Sequence, residues 1–123
     1  MEGTVVYTRA IVSESPSSFD ARFQYDSGWK DATLANINLV FDHGLGVTPT
    51  HLSVFFSPDH KTSYPLLWPW VAGQSGNPVS IWADADSITL SIYAGAPLHG
   101  AYNGQTASWT YWNSGFFRVL ASQ

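Results

Sequence analysis

Apolar and polar residues alternate with a period of two over most of this chain. In "LANINLVFDH", Ala35, Ile37, Leu39 and Phe41 fall on one side and Asn36, Asn38 and Asp42 on the other. "THLSVFF" sets Leu52, Val54 and Phe56 against His51 and Ser53. "PVSIWAD" groups Val79, Ile81 and Ala83, and "DSITLSIYA" groups Ile88, Leu90 and Ile92 opposite Thr89 and Ser91. "GFFRVLA" sets Phe117 and Val119 against Phe116 and Arg118. Such runs, rich in β-branched and aromatic residues, predict half-buried strands. Turn-forming stretches separate them: "DHGLGVTP", "SPDH", "AGQSGNP", "ADAD" and "YNGQ". No window repeats its apolar residues every 3.6 positions. The pattern therefore predicts an all-β chain of short strands, a sandwich or a small barrel.

Two segments break the pattern. "SESPSS", Ser13 to Ser18, reads as a hinge after an N-terminal strand or arm at about Thr4 to Val12. This divides the chain into an arm with its hinge, residues 1–18, and a body, residues 19–123. In "YPLLWPWV", Pro65 and Pro69 cannot donate ladder hydrogen bonds, which predicts an edge strand or a long loop.

At 123 residues the chain suits one domain. Only 11% of residues are charged, against the ~25% common in globular proteins, while 15% are aromatic. A surface short of charge and rich in rings suggests that something covers part of it, whether identical subunits, a larger assembly or a ligand. The net charge is -4 with five Lys or Arg and no basic stripe, which argues against nucleic acid as a partner. Without cysteine, disulfides, thiolate metal sites and cysteine nucleophiles are excluded. "MEGTVVYTRA" has no apolar run of signal-peptide length, and no stretch nears the ~20 apolar residues of a membrane span. Neither export by a signal of its own nor membrane insertion is expected.

Candidate chemistry is sparse. His43, His51, His60 and His99 have no spacing that brings metal ligands together, so turn or strand-face histidines are expected and no metal site. "DADS", Asp84 to Ser87, is a fragment of a calcium loop lacking the later Glu, and is better read as a tight turn between strands. The only glutamates are Glu2 and Glu14, and neither a G-x-S-x-G elbow nor a Gly-rich phosphate loop is present. No enzymatic activity and no cofactor are expected.

"HGAYNGQTASWTYWNSG" carries more information. Tyr102, Trp109, Tyr111 and Trp112 lie among Asn, Gln, Thr and Ser. In an extended segment Trp109 and Tyr111 share one face and Trp112 takes the other. Sugars bind against aromatic faces, with amides and hydroxyls taking their hydroxyl groups. Tyr102, Trp109, Tyr111 and Trp112 are thus candidate walls of a carbohydrate site, and Asn103, Gln105 and Asn113 its candidate hydroxyl partners. The competing reading makes these aromatics core and subunit-interface residues.

"YDSGW", an alternating strand, "HGLGVTP" and a further apolar strand follow one another in that order, and the chain closes on "GFFRVLA". This order resembles small domains of bacteriophage virion proteins, in tail fibres, receptor-binding tips and head or tail appendages, and the H-type lectin domain. Asp26, Ser27, Gly28, Trp29, His43, Gly44, Leu45, Gly46 and Pro49 carry the resemblance, which spans about Tyr25 to Ala121. The middle, "YPLLWPWVAGQSGNP", departs from it, so no sugar-contacting residues are assigned by it. The resemblance implies a single antiparallel lectin-like β-sandwich that forms homotrimers and often binds carbohydrate. On this reading Gly28 permits a turn and Trp29 turns inward to cap the sandwich. Gly44 and Gly46 adopt conformations closed to other residues, Leu45 plugs the core and Pro49 sets up the next strand. The implied protein is a virion component assembled in the host cytoplasm, its arm attached to the particle or to neighbouring subunits. It would serve as an adhesin for host-surface glycan, or as a purely architectural capsid decoration or tail protein. A free-standing cellular lectin is the third alternative.

Overall fold

The computed structural model describes residues 23–66 and 79–123. Among them every helical or extended element is a strand, and none is a helix able to cross a membrane. In chain order these are β1 (Tyr25–Asp26), β2 (Lys30–Thr33), β3 (Asn38–Asp42), β4 (His51–Ser57) and β5 (Tyr64–Pro65). There follow β6 (Val79–Ala83), β7 (Ser87–Ile92), β8 (His99–Asn103), β9 (Ser108–Trp112) and β10 (Ser114–Ser122). The fold is all-β and every pairing is antiparallel. The expected arm and hinge, residues 1–18, lie outside the described residues, as does Pro69 with the rest of 67–78.

The strands form open sheets. In the first, β10 is central, with β4 and then β5 on one side and both β1 and β2 on the other. In the second the order is β3-β7-β6, and β8 and β9 form a separate hairpin. Period-two alternation sends Val54, Phe56, Phe117, Val119 and Ala121 of the first sheet into one buried cluster with Phe41, Val79, Ile88, Leu90 and Ile92 of the second. The two sheets thus share one core in a sandwich-like arrangement. Pro65 sits on edge strand β5, where its missing N–H costs no ladder bond.

Ile37 departs from the predicted inward face: it is 76% exposed. Local polar bonds explain why. Asn36 Oδ1 accepts the Thr33 N–H (2.7 Å) and Thr33 Oγ1 accepts the Ala35 N–H (3.1 Å), winding this stretch into a turn before β3 begins. Ala35 is spent in that turn, and Ile37 stands at the end of the sheet.

The Asp-Ser-Gly-Trp stretch proves to be an interruption along one edge of β10 rather than the turn expected around Gly28. β1 and β2 run along the same edge of β10, and their registers differ by one residue. Three residues, Ser27 to Trp29, stand opposite two, Arg118 and Val119. That is a β-bulge, and it uses a residue in the left-handed region, here Gly28 at φ 68°. Side chains complete the pairing that the bulge disrupts. Ser27 N–H donates to the Val119 carbonyl (2.9 Å), and the Ser27 hydroxyl accepts the Val119 N–H (2.8 Å). Asp26 Oδ1 accepts the Gly28 N–H (2.9 Å), and the same carboxylate receives Arg118 Nε (2.9 Å) and Nη2 (2.5 Å). The Asp26 side chain is 2% exposed, so this two-point ion pair is largely removed from solvent.

Trp29 does not enter the core. It is half-buried, and its ring packs 6.2 Å from His60, which in turn meets Phe116 edge-on at 3.9 Å. The inward-turned tryptophan expected from the motif is corrected by the bulge, which spaces Trp29 one residue out of the β1 register. Trp29→Ala should therefore cost about 1–2 kcal/mol, below the ~3–5 kcal/mol of an aromatic truncation in a core. Chemical denaturation reads this directly, and a loss above ~3 kcal/mol would return Trp29 to the core.

The "HGLGVTP" loop is held from within. His43, buried, accepts the Leu45 N–H at Nδ1 (3.0 Å), so its proton sits on Nε2 and is donated to the Asp84 carbonyl (2.8 Å). His43 N–H reaches the Asp86 carbonyl (3.1 Å). This ties the loop to the turn at Asp84–Asp86, which joins β6 to β7. Gly44 and Gly46 lie at φ 68° and 77°, and Leu45 packs against the core between them. Pro49 is half-buried, two residues ahead of β4.

Candidate functional site

Hairpin β8–β9 begins with a polar tip. Asn103 Oδ1 accepts the Gln105 N–H (2.9 Å) and the Thr106 N–H (3.4 Å), closing a four-residue loop in which Ala107 adopts φ 54°. Below the tip, Tyr102 pairs with Trp109, Gly100 with Tyr111 and His99 with Trp112. Because faces alternate, Tyr102, Gly100, Trp109 and Tyr111 share one face, and His99 and Trp112 share the other.

The second face packs down. Trp112 lies 5.8 Å from Phe56 and 5.3 Å from Tyr64, ring centre to ring centre. His99 stacks on Phe56 (5.0 Å, 17° between planes) and approaches Tyr64 (5.1 Å) and Trp112 (5.9 Å). Leu98, fully buried, donates its N–H to the Trp112 carbonyl (2.8 Å), and one residue, Asn113, separates β9 from central strand β10. The hairpin is thereby fastened to the first sheet by a layer of rings and by chain continuity. His99 is 4% exposed, and among the described residues its Nδ1 has no hydrogen-bond partner. Burial holds its pKa down at about 4, so the imidazole is neutral at physiological pH.

The first face is open. Tyr102, Trp109 and Tyr111 are 54%, 40% and 44% exposed, yet they touch one another. Tyr102 and Trp109 are 5.3 Å apart and tilted, and Trp109 and Tyr111 are 6.1 Å apart with planes within 12°. Gly100 makes this arrangement possible. A Cβ there would sit 2.9 Å from the Tyr111 ring, so only glycine lets the ring lie across β8. The result is a contiguous row of three rings carrying two phenol hydroxyls and an indole N–H, the composition of a surface that stacks on C–H faces and bonds hydroxyl groups.

The seven residues singled out from sequence are thus divided. Tyr102, Trp109 and Tyr111 come together on the open face. Trp112 does not join them and belongs to the anchoring layer. Asn103 spends its side-chain carbonyl oxygen on the tip loop, which leaves its amide N–H groups to meet a ligand hydroxyl. Gln105 is exposed at the tip and Asn113 is exposed in the bend after β9. The motif residues Asp26 to Trp29 and His43 to Pro49 lie in the bulge and in the loop before β4. Sequence reasoning missed Gly100 and His99. The signal for Gly100 was present, since a glycine across a hairpin from a tyrosine leaves room for its ring.

A second concavity, an open groove of about 610 Å³, is lined by Phe23, Thr50, His51, Leu52, Ser53 and Ser122, at the far end of β4 from Phe56. Its two rings, Phe23 and the His51 imidazole, form no stacked pair, so the hairpin is the better-formed site. Among the described residues, no cluster of three His, Asp or Glu is placed to hold a metal ion. No protein-family model matches the chain, and no curated protein matches it.

Proposed function

We propose that this chain is a structural protein of a bacteriophage virion, a trimeric fibre or appendage component that holds host-surface glycan on the open face of hairpin β8–β9. The observation that carries the glycan reading is the row Tyr102–Trp109–Tyr111: three large rings exposed side by side on a hairpin whose other face is anchored. The virion and trimer parts rest on the resemblance described above, on the low charge and on the aromatic content. One site should bind weakly, at about millimolar dissociation constant, because sugar hydroxyls exchange water for protein at small net gain. Three sites on one trimer would raise avidity by roughly 10²–10⁴ on a glycan-coated cell.

The test is a pair of variants. Trp109→Ala should keep the parent's melting temperature and trimer mass and lose binding to host cells or glycan. Trp112→Ala should instead be destabilised, by about 2–4 kcal/mol, because it removes part of the anchoring layer. Retained binding in a folded Trp109→Ala variant would remove the hairpin from the reading.

A second reading, purely architectural, draws on another surface. Register places Val40, Thr89 and Trp82 in one row across the outer face of the β3-β7-β6 sheet. Val40 and Trp82 are exposed, as is Tyr93 beyond the end of β7. Such a face supports burial against another virion subunit. A parent protein that binds neither cells nor glycan would favour this reading, with the hairpin rings as further subunit contacts.

A further inference from the structure

Resting on the glycan reading, we infer that the hairpin takes a neutral glycan and binds it along its chain, over several sugar units, rather than by an acidic group or a single terminal sugar.

The charge pattern carries the first half. Between Asp86 and Arg118 there is no Asp, Glu, Lys or Arg, and this interval contains the whole hairpin with its tip loop and its links to β7 and β10. Among the described residues, the rings that pack beneath it from other strands are those of Phe56 in β4 and Tyr64 in β5, also without charge. Sugars bearing carboxylate, sulfate or phosphate are recognised by arginine forks, lysine ammonium groups or clustered backbone N–H groups. Among the described residues the open face has no cation, and the two tip-loop N–H groups of Gln105 and Thr106 are already taken by Asn103. The protein as a whole is anionic, which further disfavours an acidic polymer.

Geometry carries the second half. One pyranose covers about one aromatic ring, and a pocket for a terminal sugar encloses it on several sides. Here the three rings are adjacent and similarly exposed, and no wall among the described residues rises around them. Tyr102 meets Trp109 across the strands and Trp109 meets Tyr111 along β9, so the row turns from β8 onto β9 without a gap. A ligand that uses all three must extend over more than one sugar unit. Phenol, indole and tip-loop Gln105 groups then meet hydroxyls along its edge.

The trimer, labelled with a fluorophore, would be applied to an array of neutral, sialylated, uronate-containing and phosphorylated glycans of graded length, with folded Trp109→Ala as the control. The expected result is Trp109-dependent binding to neutral glycans, changing less than about twofold between 50 and 500 mM NaCl, because no ion pair is there to be screened. Titration with soluble fragments of the bound glycan should show affinity rising by at least about tenfold from one sugar unit to three or four, and then levelling. Trp109-dependent binding confined to acidic glycans, or weakened strongly by salt, overturns the neutral assignment while leaving the platform in place. A single terminal sugar that competes as well as the longer fragment overturns the extended mode. An array on which nothing binds in a Trp109-dependent way overturns this inference and the platform together.

Discussion

Phe56→Ala should destabilise the protein by about 3–5 kcal/mol, the range for removing a large ring from a core. Phe56 is fully buried in β4, the strand that pairs with central β10. Its ring meets Phe117 edge-on at 5.3 Å and forms the floor on which His99 and Trp112 rest. Gly115 confirms how little room surrounds it: a Cβ at that glycine would lie 2.5 Å from the Phe56 ring. Truncation therefore leaves a cavity at the joint between the sheet and the hairpin. Urea unfolding gives the size of the loss, and hydrogen exchange locates it. Amides of β8 and β9 should lose protection before those of β7, because among the described residues this is the ring layer that holds the hairpin down. A loss below ~1.5 kcal/mol would mean that the layer closes over the gap and that the hairpin is held chiefly by its continuity with β10.

Acid should loosen the same joint. In the unfolded chain His99 takes a proton near pH 6.5, whereas in the folded protein burial holds its pKa at about 4. Above pH 6.5 neither state is protonated and His99 contributes no pH dependence. Between pH 6.5 and 4 the unfolded chain binds a proton that the folded protein refuses, so stability falls by ~1.4 kcal/mol per pH unit. Below pH 4 both states are protonated and the loss is complete, at about 3 kcal/mol. The backbone N–H groups of Thr62 and Lys61 hold the pKa of Asp59 below its ordinary value, and those of Asp86 and Ser87 do the same for Asp84. Their contributions are therefore lost only as pH falls below about 3.8. His99→Phe supplies the control, since it keeps a ring in the stack and removes the titrating nitrogen. Subtracting its stability from that of the parent at each pH should give a curve that descends from pH 6.5 to pH 4. A flat difference would show that His99 is protonated in place without cost. The variant should also be the more stable of the two at pH 7, by ~1 kcal/mol, because it removes a buried nitrogen that has no partner among the described residues.

Much of this architecture follows from the order of residues alone. Alternation in "SVFF", "SITLSI" and "GFFRVLA" placed Val54, Phe56, Ile88, Leu90, Ile92, Phe117 and Val119 in the core, because a strand with one buried face must repeat every two residues. The same rule separated Trp109 and Tyr111 from Trp112, and it needed no knowledge of what lay on either side. Tight turns such as Asp84–Asp86 were legible because a short polar side chain closes its own backbone within three residues. Other features depend on partners far away in sequence. Whether Asp-Ser-Gly-Trp is a turn or a bulge depends on Arg118 and Val119, some ninety residues on, since only the register of β10 shows that one residue is extra. Trp29 is kept out of the core for that reason, though its size and its neighbours in sequence suit burial. His99 is neutral because β4, β5 and β9 bring Phe56, Tyr64 and Trp112 around it, and desolvation is a property of that enclosure. The open row of rings has the same origin: sequence placed the aromatics on two faces, and packing of one face onto the sheet left the other exposed.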